Sequence, residues 1–88
     1  MARKYLVMAH RTPQFDASVI EPHRTFLQDL LAKGRLQESG GFTNSPGGAY
    51  VILAESLPTA TTIAHSDPLH TTGASELTIY EWEITVSA

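Results

Sequence analysis

Apolar residues change period several times along this chain, and each change predicts an element. Tyr5 to Ala9 is a short apolar run with polar residues on both sides, the length of a strand. From Val19 to Lys33 the period becomes helical. Val19, Ile20, Phe26, Leu27, Leu30 and Leu31 fall on one arc at about 100° per residue. Ser18-Val19-Ile20-Glu21 matches a Ser-x-x-Glu capping box, and Gly34 suits the position just past the helix end. Pro22 lacks an N–H and is awkward inside a helix starting at Val19, so Pro22 itself is an alternative start. Arg35 to Phe42 reads as a second strand, with Gly40-Gly41 marking a bulge or a close backbone approach. Thr43 to Gly48 has the composition of a turn, and Ala49 to Ala54 that of a third strand. Ser56 caps a short helix with Pro58 in its first turn, running to about His65, and Pro68 forbids continuation. Leu77 to Val86 is the last strand.

Strand, helix, strand, strand, helix, strand, joined by right-handed crossovers, predicts an α+β fold. It is the ferredoxin-like βαββαβ sandwich, a four-stranded antiparallel sheet with both helices on one face. The strands are more apolar than one covered face requires. Tyr50-Val51-Ile52-Leu53-Ala54 is continuous, and in the last strand Tyr80, Trp82, Ile84 and Val86 oppose Leu77 and Ile79 in parity. A half-solvated antiparallel sheet alternates apolar and polar instead. The second face therefore needs an apolar partner, and the simplest is the same face of a second chain. That homodimer would close a dimeric α/β barrel around a shared core.

Length and composition narrow the function classes. The 88 residues make one domain, 1–88, with no room for a second core. With no Cys there is no disulfide and no thiolate chemistry, which suits a reducing cytoplasm. A net charge of −3 with scattered Lys and Arg argues against a nucleic-acid partner. The apolar stretch after Met1-Ala2-Arg3-Lys4 is too short for a leader, and no run is long enough to span a membrane.

The candidate chemistry centres on one helical position. His23 sits in the middle of the apolar arc, where a core helix would place Leu or Ile. An unsatisfied buried polar group costs roughly 1–3 kcal/mol, so the imidazole needs a partner. Asp67, in His65-Ser66-Asp67-Pro68-Leu69 after the second helix, is the natural one. A carboxylate on one ring nitrogen fixes the tautomer and leaves the other nitrogen as a base. The plainer alternative is a core histidine pinned by any acceptor, with Asp67 a turn former. His10 and Arg11 end the first strand, where Arg11 suits an anionic substrate group. They join Gly40, Gly41 and His65 as candidate substrate-binding residues. His65, Asp67 and His70, with His10, contain metal-ligand types, but their spacing matches no established pattern, and no metal or cofactor is expected. No Ser lies in a nucleophile elbow, and neither glycine pair forms a phosphate loop.

The order of motifs resembles the YCII-related (YciI-like) family. The resemblance is carried by Pro22-His23, Ala32-Lys33-Gly34-Arg35-Leu36, Gly40-Gly41 and Gly48-Ala49-Tyr50-Val51-Ile52. Ala54-Glu55-Ser56 and Ser66-Asp67-Pro68-Leu69 complete it, over nearly the whole chain. It implies a dimeric α/β barrel of ferredoxin-like subunits, related to muconolactone isomerases, with a His–Asp pair at His23 and Asp67. It also implies enzyme chemistry on small cyclic or aromatic compounds, some members being dehydrochlorinases of chlorinated hydroxyquinols. Two departures touch the pocket. Glu21-Pro22 stands where many members have an Arg before the helix His, and Leu69 stands where an aromatic often follows Asp-Pro. Two readings result: a cofactor-free isomerase or lyase using His23 and Asp67, or a non-catalytic small-molecule-binding domain in which the pair is structural.

Overall fold

A computed structural model describes residues 3–88. Met1 and Ala2, the start of the stretch assessed for a leader, lie outside the described residues. The elements are β1 (Arg3–Arg11), α1 (Ile20–Ala32), β2 (Leu36–Gly41), β3 (Gly48–Ala54), α2 (Leu57–His65), α3 (Pro68–Thr71) and β4 (Ser75–Trp82). The strands pair antiparallel in the spatial order β2-β3-β1-β4, the expected ferredoxin-like α+β arrangement. Register along β1 and β3 sets Tyr5 opposite Ile52 and Val7 opposite Tyr50. Those four side chains share one face and bury against Leu30 of α1 and Ala60 and Ala64 of α2. The two alanines lie one turn apart, so α2 settles close to the sheet. A smaller cluster joins Ala9, Val19, Leu69 and Ala74.

The first helix begins differently from the expected capping box. Asp16, not Ser18, supplies the cap, its side chain accepting from the Ser18 N–H at 3.0 Å. Ser18 lies inside a 3-10 turn, Ala17–Val19, that runs straight into α1. Pro22 is then the third residue of α1, within its first turn, where a missing N–H is tolerated. The helix ends as expected. Gly34 adopts φ 72°, the Gly34 N–H donates to Leu31 O at 3.1 Å, and the Arg35 N–H donates to Leu30 O at 2.9 Å, a Schellman closure.

Two further expectations are sharpened and two are corrected. The bulge falls at Gln37, where the register steps from Leu36↔Ile52 to Glu38↔Val51, and not at Gly40-Gly41. Those glycines are a place of close approach instead, because a Cβ on Gly48 would collide with the Gly40 carbonyl oxygen. Pro68 ends α2 but also opens α3, since its missing N–H and fixed φ suit a first helical position. β4 starts at Ser75 and stops at Trp82, so Ile84 and Val86 leave the sheet. Ile20 and Leu31 do not enter the core, and Leu31 is 57% exposed. On the helix-free face Tyr80 and Trp82 remain 53% and 46% exposed beside Leu6 and Leu53. No helix among the described residues is long and apolar enough to cross a membrane.

Candidate functional site

Among the described residues Asp67 is the buried charged side chain, with no solvent exposure at all. Its position follows from two helix ends. The Asp67 N–H donates to Ala64 O as α2 closes, and the residue then caps α3, its backbone oxygen accepting from the His70 N–H at 2.8 Å. The carboxylate caps the same helix, Oδ1 accepting from the Leu69 N–H at 2.8 Å. Asp67 thus follows the C-terminus of α2 and occupies the N-terminal side of α3, where a carboxylate cap is favourable.

Two side chains complete the shell. The Tyr50 hydroxyl donates to Asp67 Oδ2 at 2.9 Å, and His23 Nδ1 stands 2.9 Å from Asp67 Oδ1. Burial, and then the neighbouring charge of Asp67 and the bond to it, push the Tyr50 hydroxyl far above its ordinary pKa, so Tyr50 stays a donor. A carboxylate only accepts, so Nδ1 carries a proton, and in the neutral ring Nε2 holds the free lone pair. The His23 side chain is 21% exposed. No buried side-chain nitrogen or oxygen among the described residues lacks a partner, so Nε2, which has none, is open to its surroundings. Tyr50 also backs the imidazole, ring centroids 6.0 Å apart, and Phe26 meets Tyr50 edge-on at 6.4 Å.

The ring of His23 lines a cavity of about 450 Å³ between α1 and the sheet. That volume is within the range of roughly 300–1,000 Å³ typical of small-molecule sites. Phe15, Leu27, Leu36 and Leu69 supply apolar wall, and Tyr50 and Ser75 also line it. Arg11, Gly40 and Gly41, three of the candidate substrate-binding residues, line it as well. The other two do not. His10 has the opposite strand parity to Ala9 and Arg11, so it is exposed across the sheet from the cavity. His65 ends α2 on the surface, its ring stacked on His70 with centroids 4.2 Å apart and planes 6° from parallel. Asp67 turns inward, away from that stack, and no group of three or more His, Cys, Asp or Glu among the described residues is arranged to hold a metal.

Sequence reasoning missed Tyr50 and the Leu69 N–H. Tyr50 was visible only as one residue of an apolar strand. Its parity gave a signal, since a tyrosine on the core face must find a partner for its hydroxyl.

Residues 3–83 match the model of the YCII-related domain. The chain belongs to the YCII-related family. Uncharacterized protein YjpA of Bacillus subtilis (strain 168) is 46% identical over 80 residues, covering 91% of this chain and 94% of that protein. Among solved structures, a similar fold is 5-chloro-2-hydroxyhydroquinone dehydrochlorinase (TftG) from Burkholderia phenoliruptrix AC1100, in complex with 2,5-dihydroxybenzoquinone. The TM-score is 0.68 at 18% identity, over 91% of this chain and 93% of that one. At such identity the likeness is one of fold.

Proposed function

We propose that this YCII-related domain is a small acid–base enzyme, an isomerase or lyase acting on a small cyclic or aromatic compound. The observation that carries the reading is His23, tied through Nδ1 at 2.9 Å to a fully buried carboxylate while Nε2 is left without a protein partner beside the cavity. In this reading Nε2 removes a proton from a ring C–H or O–H. The imidazolium so formed is stabilised by Asp67, whose charge is held in place by Tyr50 and the Leu69 N–H. Returning the proton to another atom gives an isomerisation. Loss of a halide with its bonding pair, as the C–H pair becomes the new double bond, gives an elimination. The dehydrochlorinase TftG, with its bound quinone, supports the ring-compound class on fold alone.

Positioned acid–base groups contribute roughly 10²–10⁴ in rate, so His23→Ala and Asp67→Asn should each lose at least a hundredfold on an active lactone or halogenated phenol. Activity surviving both substitutions would sink the proposal. A second reading has its own support: three donors already satisfy Asp67, which suits a structural pin in a binding domain. NMR separates the two. An imidazole that titrates between about pH 5 and 9 with solvent access fits the base, and one that does not fits the pin.

We also place a second copy of the chain on the helix-free face, in a homodimer. Exposed Tyr80 and Trp82 beside Leu6 and Leu53 make an apolar patch uncommon on monomers. Light scattering should give a dimer that Trp82→Glu splits, and a monodisperse wild-type monomer overturns this. A chain without cysteine suits the reducing cytoplasm, where we place it.

A further inference from the structure

The chain is acidic, yet its cavity is not. Two of the six Lys and Arg residues, Arg11 and Arg24, line the cavity, and none of the nine Asp and Glu residues does, Asp67 lying behind His23 with three donors upon it. A cleft lined by one sign of charge with low-dielectric walls focuses its field on whatever enters. The two arginines differ in how much of that field they supply. Arg24 faces Glu21 at 3.6 Å, and both side chains are well exposed, so much of its charge is compensated. Arg11 has no carboxylate within ion-pair distance among the described residues. Its guanidinium instead lies 4.1 Å over the Phe15 ring. Stacking of that kind orients the planar group and leaves its N–H edge free, and that edge matches a carboxylate in bidentate fashion. The remaining wall is largely apolar, from Phe15, Ile20, Leu27, Leu31, Leu36 and Leu69.

We infer that the cavity selects a small ring compound bearing a carboxylate, with Arg11 binding the carboxylate and the ring lying against the apolar wall beside His23. This rests on the acid–base reading of the same site and adds the charge of the substrate to it. Arg11 is here a specificity-determining residue; the proton moves through His23.

Titrations with benzoate and with its uncharged analogue methyl benzoate, followed by calorimetry and amide NMR shifts, test the inference. The protein is used as wild type, Arg11→Gln and Arg24→Gln. Wild type should bind benzoate in preference to the ester. Arg11→Gln should lose that preference by about tenfold or more, the effect of removing a charge-assisted contact, while holding the ester as before. Arg24→Gln should change the preference much less. No binding of benzoate, equal binding of both compounds, or a preference untouched in Arg11→Gln overturns the inference. Failure of the acid–base reading is separate, because it appears in turnover by His23→Ala and not in the choice between anion and ester.

Discussion

Tyr5 and Tyr50 are diagonal neighbours on one face of the sheet, and each gives its hydroxyl to a carboxylate. Tyr5 donates to Glu81 Oε1 at 3.2 Å, and Tyr50 donates to Asp67 Oδ2 at 2.9 Å. Both rings belong to the same core. The acceptors differ. Glu81 is half exposed and also faces Arg3 at 3.5 Å, so water can take over whatever the tyrosine stops giving. Asp67 has no contact with water, and each of its donors is protein. The pairing that trims the edge of the fold at one end thus fixes an ionised group in the interior at the other. An unmade bond is cheap where solvent substitutes and costly where it does not.

The largest effect expected from this contrast is at the acceptors. Asp67→Ala leaves the Tyr50 hydroxyl, His23 Nδ1 and the Leu69 N–H facing a gap. Breaking a buried charged network of this type costs about 3–5 kcal/mol, so the unfolding midpoint in urea should fall steeply. Glu81→Ala should stay near wild type. Asp67→Asn keeps the volume and part of the bonding, so it should lose less stability than Asp67→Ala while still disturbing the His23 tautomer. Equal losses in Asp67→Ala and Glu81→Ala would remove the distinction between the two ends.

At the donors the effect is smaller. Tyr50→Phe deletes one bond to a buried carboxylate and should cost about 2 kcal/mol in urea unfolding. Tyr5→Phe removes a bond to a solvated one and should unfold close to wild type. A double-mutant cycle of Tyr50→Phe with Asp67→Asn should give strongly non-additive losses, as residues in direct contact do.

Much of this was legible in the chain. The strand and helix order followed from hydrophobic period, and His23 stood out because an imidazole interrupts an apolar arc. Asp67 was legible as a partner because Pro68 fixes the end of α2 directly after it. What period cannot carry is direction at element ends. Adjacency groups His10 with Arg11, although successive strand residues point to opposite faces. His65 was grouped with Asp67 across a turn that sends one outward to stack on His70 and the other inward to His23. The true helix cap escaped because Asp16 acts through a 3-10 turn, which shifts the Ser-x-x-Glu pattern one element too late. Ile20 and Leu31 share the arc of the core residues because a cavity wall and a core wall have the same helical period.

The mildest test is alkaline, and its sign follows from both tyrosines. Each is held above the ordinary pKa of 10.0, Tyr50 by burial and then by Asp67, Tyr5 by burial and then by its bond to Glu81, with Tyr50 shifted much further. Unfolded chains release these protons near pH 10, whereas the folded chain keeps them. The unfolded state then binds fewer protons than the native one, so the stabilisation is complete below pH 10 and drains away as the pH rises past it. For Tyr50 the loss is about 1.4 kcal/mol for each pH unit in which only the unfolded form has ionised. Urea unfolding repeated between about pH 9 and 11 should show this decline in wild type. Tyr50→Phe should flatten it by nearly one group's share, and Tyr5→Phe by less, because solvent near Glu81 limits how long Tyr5 resists ionisation. Identical slopes in wild type and Tyr50→Phe would mean that the interior pair is no more isolated from water than the pair at the edge.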